Sequence, residues 1–377
     1  MMRVVLVASV IPEYRLPALR MWSTLPGVSL KVLTTQGGDW ATARGADLSH
    51  ETGLDFEILP VTVMRGPGFS GVHMPTLRAR IAEYSPDVIV AEPRMGLVSV
   101  VGLTVWPIRS NGQPVPVVWW MAGWRNTERN RLVLTLSDNL TRLVVRRGRA
   151  AACYSTLAAA RAVQLGIPAE RVVVAQNAVD TARLRELMST AEKADFDGSL
   201  NMIFVGQVLD RKRLDVVVRA MAEGGECSRS RLRIIGRDTP TCSIGALASQ
   251  LGVDDRIEWF APTFDPRELA GHLMWADVGV LPAAGGLMLN TCMAAGVPVA
   301  AGCADGTERD LVLNGKTGWL LDADSQVYAD WITECCEQRD RLRMMGGAAA
   351  AHVLRVASLE GMVVALTDAC TRAVGTA

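Results

Sequence analysis

The sequence predicts an α/β protein of two domains, each built on a parallel sheet with helices on both faces. Three observations carry this expectation. The chain has 377 residues, more than one hydrophobic core usually serves. Short β-branched runs alternate with helix-like stretches, and most runs are apolar at nearly every position, as in strands buried on both faces. A polar run without strong periodicity, Ser189–Ser199 (STAEKADFDGS), interrupts the alternation and reads as the approach to a second domain.

In the first half, strands are predicted near Arg3–Ala8, Ser29–Thr34, Phe56–Val61, Asp87–Ala91, Val115–Met121, Ala150–Tyr154 and Val172–Ala175. Each is a short run with polar or turn boundaries, and helices fit most of the intervals. In the second half, Ile203–Ala220 reads as strand, glycine turn, basic cluster and amphipathic helix. Leu232–Asp238 (LRIIGRD) is a buried strand ending at Gly236. Asp277–Leu281 and Val297–Ala301 are strands joined by a small-residue helix. Cys303–Leu321 holds a short helix, an Asn-Gly turn and a final strand, and Ser358–Val374 is a last helix. The longest apolar runs, such as Gly96–Trp106, have the length of a core helix, well short of the roughly 20 residues that span a bilayer.

Composition narrows the function. Apolar residues make up 49% and charged ones 21%, an ordinary globular balance. The formal net charge of +0 argues against wholesale nucleic-acid binding. None of the eight cysteines forms a Cys-x-x-Cys pair and only four histidines are present. Reduced thiols in a cytoplasmic protein are therefore expected, with no metal site and no cofactor. The first apolar run continues as a strand into a Pro-Glu-Tyr-Arg turn and is read as structure rather than a signal peptide.

Four segments carry chemistry. Leu281–Gly296 (LPAAGGLMLNTCMAAG) takes a strand through a glycine loop into a helix. Loop glycines let a ligand approach the backbone, and N–H groups there suit an anion such as a diphosphate. The same pattern also serves as a plain strand-to-helix turn. Lys212 lies five residues after Gln207, between Arg211 and Arg213. A cation beside a glycine turn at a strand end can neutralise a phosphate leaving group, although basic clusters at helix starts are often only solvated. Gly236 closes a third strand, and Glu308 stands just before a short helix.

In this order the four segments resemble the C-terminal half of the GT-B glycosyltransferases, specifically glycosyltransferase family 4. Residues 200–325 carry the resemblance, and VPVVWWMAGW (Val115–Trp124) and GIPAERVVVAQNAVDT (Gly166–Thr181) extend it more loosely into the N-terminal half. The resemblance implies two Rossmann-like domains facing a central cleft, over 1–185 and 198–355, with the helix near 358–377 packing back on the first. It implies a retaining transfer from a nucleotide-sugar donor to a glycan, lipid-linked or small-molecule acceptor, without a metal.

Carried over, Lys212 and Glu308 are the catalytic pair. Gly206, Gln207, Arg211, Gly236, Asp238, Gly285, Gly286, Leu287 and Thr291 bind the donor. The family's two glutamates, eight residues apart, fall here on Ala283 and Thr291, and its Gly-Arg arginine on Gln207. A branch with Pro-Gly…Gly-Leu also lacks both glutamates, and Pro282, Gly286, Leu287 and Gly296 fit its spacing. Loss of the glutamates leaves a second reading open, a GT-B protein that binds a nucleotide or partner without catalysis.

On the acceptor side, Tyr14 and Arg15 follow the first strand, where open parallel sheets place ligands. Arg15 suits an anionic acceptor or a donor phosphate, or is a surface arginine. Gly123 and Arg125 follow another strand end. Trp119 is expected in the core. His73 precedes a helix and is a base or a structural histidine. Thr127–Arg149 mixes Leu and Val with Arg131, Arg142, Arg146, Arg147 and Arg149. Its end, Arg142–Arg149, suits a peripheral contact with anionic lipid or a core-packed helix with a basic end.

Overall fold

The computed structural model describes all residues except 38–44, 67–68, 122–138, 190–198, 240–241, 264, 284 and 376–377. The chain divides into two compact units. One is Met1–Asn177 together with Leu359–Ala377, and the other is Ala178–Ser358. The division falls earlier than residue 185. The helix Ala182–Ser189 packs on the helix Pro266–Trp275, and its Leu184 is buried in the second unit's core.

The first unit contains β1 (Met2–Val7), β2 (Val28–Thr34), β3 (Asp55–Ile58), a hairpin of β4 (Thr62–Gly66) and β5 (Phe69–His73), β6 (Val88–Ala91), a short hairpin of β7 (Arg109–Ser110) and β8 (Gln113–Pro114), β9 (Val117–Met121), β10 (Ala150–Cys153) and β11 (Val172–Val174). Seven of these form one parallel sheet in the order β11-β10-β9-β6-β1-β2-β3. Counted by sheet strands alone, the order is 3-2-1-4-5-6-7, so the winding reverses between β1 and β6. In such a doubly wound sheet a crevice opens outside the carboxyl ends of the two strands at the reversal.

Burial explains the strand sequences. Val4, Val5, Leu6 and Val7 are all buried, as are Val88–Ala91 and Val117–Met121, because helices cover both faces. Pro60 follows the last residue pair of β3, and Pro116 precedes β9, so both strands are shorter than predicted. Trp119 and Trp120 are both buried, one on each face of β9. The C-terminal helix Leu359–Val374 completes this unit. It packs on the helix Leu16–Ser23 and on β10, and Trp22 Nε1 donates to Thr367 Oγ1 at 3.0 Å.

The second unit repeats the plan. Its strands are β12 (Leu200–Val205), β13 (Ser230–Ile235), β14 (Ile257–Phe260), β15 (Val278–Leu281), β16 (Val299–Ala301) and β17 (Gly318–Leu320). All are parallel, in the order β14-β13-β12-β15-β16-β17. The reversal here lies between β12 and β15. The described cysteines are free thiols, and burial pushes Cys153, Cys292 and Cys370 up to about 12, which keeps them protonated and inert.

Candidate donor and acceptor sites

In the second unit the residues expected at the donor come from the carboxyl ends of four adjacent strands. Gly206, Gln207 and the turn Asp210–Lys212 follow β12, Gly236 and Asp238 follow β13, Gly285–Leu287 follow β15, and Glu308 follows β16. The reversal between β12 and β15 therefore has the basic turn on one side and the glycine loop on the other.

The glycines differ in what they do. Gly286 has φ +62°, its position is exposed, and a Cβ there would meet nothing within 4 Å. The backbone conformation demands glycine, and the space beside it is open. The N–H groups of Gly285 and Gly286 donate to no group among the described residues. The following helix, Met288–Ala294, has only seven residues, so these loop amides, more than a helix dipole, are what the segment offers an anion. Gly236 has a packing reason instead. A side chain there would overlap the Gly206 carbonyl, where adjacent strand ends meet through the Gly206 N–H to Ile235 carbonyl bond of 3.0 Å.

Side chains are also redistributed. Asp238, expected at the donor, uses Oδ1 on the Thr239 N–H (2.9 Å) and Oδ2 on the Gly245 N–H (3.0 Å). Its carboxylate thus serves the start of the helix Ile244–Leu251. Arg213 adopts φ +54° and pairs with Asp215 at 3.0 Å; Arg211 is exposed and Lys212 half-buried in the same turn beside the reversal. Thr291 Oγ1 donates to the Leu287 carbonyl at 3.1 Å, the back-bond typical of a helical threonine.

Glu308 is 1% exposed. Its Oε2 accepts from the N–H groups of Ala304 (3.3 Å) and Asp305 (3.2 Å). Burial and the neighbouring Asp305 carboxylate still raise its pKa above the usual carboxylate range. A raised native pKa favours the protonated native state, so this stabilisation is full below the unfolded value and is lost as pH rises through the native one. Without ligand, Glu308→Gln should therefore gain melting temperature relative to the parent as pH rises from about 4.5. A gap that stays constant from pH 4.5 to 8 would contradict this.

In the first unit the expected acceptor residues separate. Tyr14 is exposed, whereas Arg15 is only 7% exposed. Arg15 Nη1 donates to Glu92 Oε1 at 3.1 Å, Nη2 donates to Tyr154 Oη, and the guanidinium lies 4.4 Å from the Trp120 ring centroid. Burial opposes its charge, but Tyr154 and Glu92 outweigh that and hold it protonated. Arg15 is thus neither a surface arginine nor a spare cation for an anionic acceptor. Gly123 and Arg125 lie outside the described residues. His73 Nδ1 meets Ser99 Oγ at 2.8 Å, and that hydroxyl also accepts from the Met74 N–H. The histidine ends β5, held there by this contact. Glu92 escaped the sequence reading, although its place directly after the buried run Val88–Ala91, at a strand's carboxyl end, marked it.

Comparison with known proteins settles the kinship. The family model of Glycosyl transferases group 1 matches residues 190–352, and that of Glycosyltransferase Family 4 matches residues 27–183. The two matches together span most of the chain, which has the GT-B fold and resembles glycosyltransferase family 4. A D-inositol 3-phosphate glycosyltransferase of Nocardia farcinica is 31% identical over 203 residues, 50% of this chain and 44% of that protein. The matched stretch is thus about half the length of the curated relatives. Among solved structures, Anabaena HepE in complex with UDP aligns at TM-score 0.70 and 15% identity, covering 98% of this chain and 99% of that one. A glycosyltransferase from Rickettsia africae aligns at TM-score 0.73 and 14% identity, covering 100% and 99%.

This GT-B chain departs from family 4 at Ala283 and Thr291, where neither side chain carries charge. Because the Thr291 hydroxyl hydrogen is already bonded, only its lone pairs remain for a ligand. Thr291→Ala should cost about 0.5–1.5 kcal/mol in nucleotide affinity at most, the range for a neutral hydrogen bond. Glu308→Ala should cost more, roughly 1.5–3 kcal/mol, as for a charged partner. Calorimetry of both variants with one nucleotide decides, and the reverse ranking would refute the assignment.

Proposed function

We propose that this chain is a retaining glycosyltransferase that moves a sugar from a nucleotide-sugar donor to a hydroxyl of a glycan, lipid-linked or small-molecule acceptor. The observation that carries the reading is the reversal in the second unit's sheet, flanked by the Arg211–Lys212 turn and the Gly285–Gly286 loop. Open parallel sheets bind ligands at this position, and a cation opposite unspent amides suits a diphosphate. UDP in the HepE structures makes uridine the first nucleoside to test.

In the proposed reaction the bond from the sugar's anomeric carbon to the diphosphate oxygen breaks. The acceptor oxygen bonds to that carbon on the same face, and its proton passes to the departing phosphate. Lys212 offsets the charge that grows on the diphosphate. Gly285 and Gly286 add backbone donors, and Gln207 and Leu287 border the same loops. No protein nucleophile, metal or cofactor is invoked, so the uncharged Ala283 and Thr291 leave the route open.

A thermal-shift series with nucleoside diphosphates and sugar nucleotides tests donor binding. A ligand at about 100 times its Kd adds about 2.7 kcal/mol to stability. No shift with any of them would sink the reading. The uncharged pair Ala283 and Thr291 motivates a second reading, nucleotide binding without catalysis. UDP binding without release of UDP from UDP-glucose, alone or with acceptors, would favour it.

We place the protein in the cytoplasm with a peripheral membrane contact through Arg142–Arg149. Arg142, Arg146, Arg147 and Arg149 are exposed beside the exposed Leu140 and Leu143, a mix that suits anionic headgroups. Equal binding to neutral and phosphatidylserine-containing vesicles would refute this contact.

A further inference from the structure

The first unit has its own reversal, between β1 and β6. Arg15 follows β1 and Glu92 follows β6, so the pair straddles the place where this sheet, too, would take a ligand. The two ends of the pair differ. Arg15 is buried, with Glu92 on one side, Tyr154 on another and the Trp120 face against it, and only its Nε is left without a partner among the described residues. The Glu92 side chain keeps 19% of its exposure. Only its Oε1 is hydrogen-bonded. Oε2 makes no hydrogen bond among the described residues, although it forms a long ion pair with Arg94 Nη1 at 3.9 Å. A carboxylate can accept at both oxygens, and here one is spent on fixing the group while the other is not.

We propose that Glu92 is a specificity residue of the acceptor site, taking hydroxyl hydrogens of a neutral sugar or polyol on Oε2 while Arg15 fixes Oε1. This rests on the glycosyltransferase reading and sharpens it. Because an ionised carboxylate oxygen only accepts, Oε2 favours groups that bring a hydrogen, such as hydroxyls, over phosphorylated or carboxylated groups, whose ionised oxygens offer only acceptors. Arg15 is a positioning residue, not a contact to the acceptor.

The test is calorimetric or NMR-detected binding of methyl hexosides and their 6-phosphates to the full chain, with UDP titrated in parallel. The parent should bind at least one neutral hexoside in preference to its 6-phosphate. Glu92→Gln should weaken that binding at least tenfold and leave UDP affinity unchanged. Should Glu92→Gln not fold, Glu92→Asp keeps the charge, draws the oxygens back and should lose affinity in the same direction. Arg15→Lys keeps a cation but not the fork, and should weaken the hexoside alone. The proposal is overturned if no neutral hexoside binds the parent, if the 6-phosphates are preferred, or if the folded Glu92 variants bind as the parent does. It is also overturned if Arg15→Lys loses UDP affinity in step with hexoside affinity. Failure of the parent to bind UDP would count against the donor reading alone, since hexoside binding is read separately.

Discussion

Lys212→Ala should lower turnover about 100- to 1,000-fold, or roughly 2.7–4 kcal/mol of transition-state stabilisation, while leaving the fold intact. The residue sits in the short turn Asp210–Lys212 after β12, half-buried and outside the core, so truncation removes charge and little packing. Among its neighbours, Arg213 is paired with Asp215 and is poorly placed to compensate. Steady-state kinetics with a sugar nucleotide, alongside a melting curve, check this. Near-normal turnover in a folded Lys212→Ala protein would move the role to Arg211.

Gly286→Val should abolish measurable donor binding, for two separable reasons. A β-branched residue resists φ +62°, and a side chain would fill the open space beside the loop amides. Gly286→Asn separates them, because asparagine tolerates the left-handed region yet still occupies the space. Both variants should lose UDP affinity, but only the valine should also lose melting temperature. Unchanged UDP affinity in a folded Gly286→Asn protein would take this loop out of the site.

Much of the fold was legible because burial on both faces writes strands as unbroken apolar runs. Val88–Ala91, Val117–Met121 and Ala150–Cys153 are buried throughout. The edge strand β14, Ile257–Phe260, was not legible. Only its first residue is buried, and Glu258 serves as partner to Arg233 at 2.6 Å. The β4–β5 hairpin carries no apolar run either, since Arg65 and Gly66 interrupt one strand and Ser70 and Gly71 the other. In the site, local backbone demands were readable and distant partnerships were not. The sequence shows a glycine at 286, and the structure gives it a positive φ. Nothing near Arg15 in sequence announces Glu92, 77 residues away, or Tyr154, 139 away. Asp238 is ambiguous for the opposite reason. Its partners, Thr239 and Gly245, are close by, but a capping carboxylate and a ligand-binding one look alike until the next helix start is placed.

The return of Leu359–Val374 to the first unit bears on how the protein is made. A ribosome delivers Met1–Asn177 first, then all of Ala178–Ser358, and only then the helix whose Thr367 receives the Trp22 indole N–H. At about 5–20 residues per second, the intervening stretch takes on the order of 9–36 s to emerge. Through that interval Trp22 and its neighbours on Leu16–Ser23 lack their cover, while the second unit, whose strands are contiguous in the chain, can close at once. The unit synthesised first is therefore the one that finishes last, and its unfinished face is where a nascent-chain chaperone would be needed.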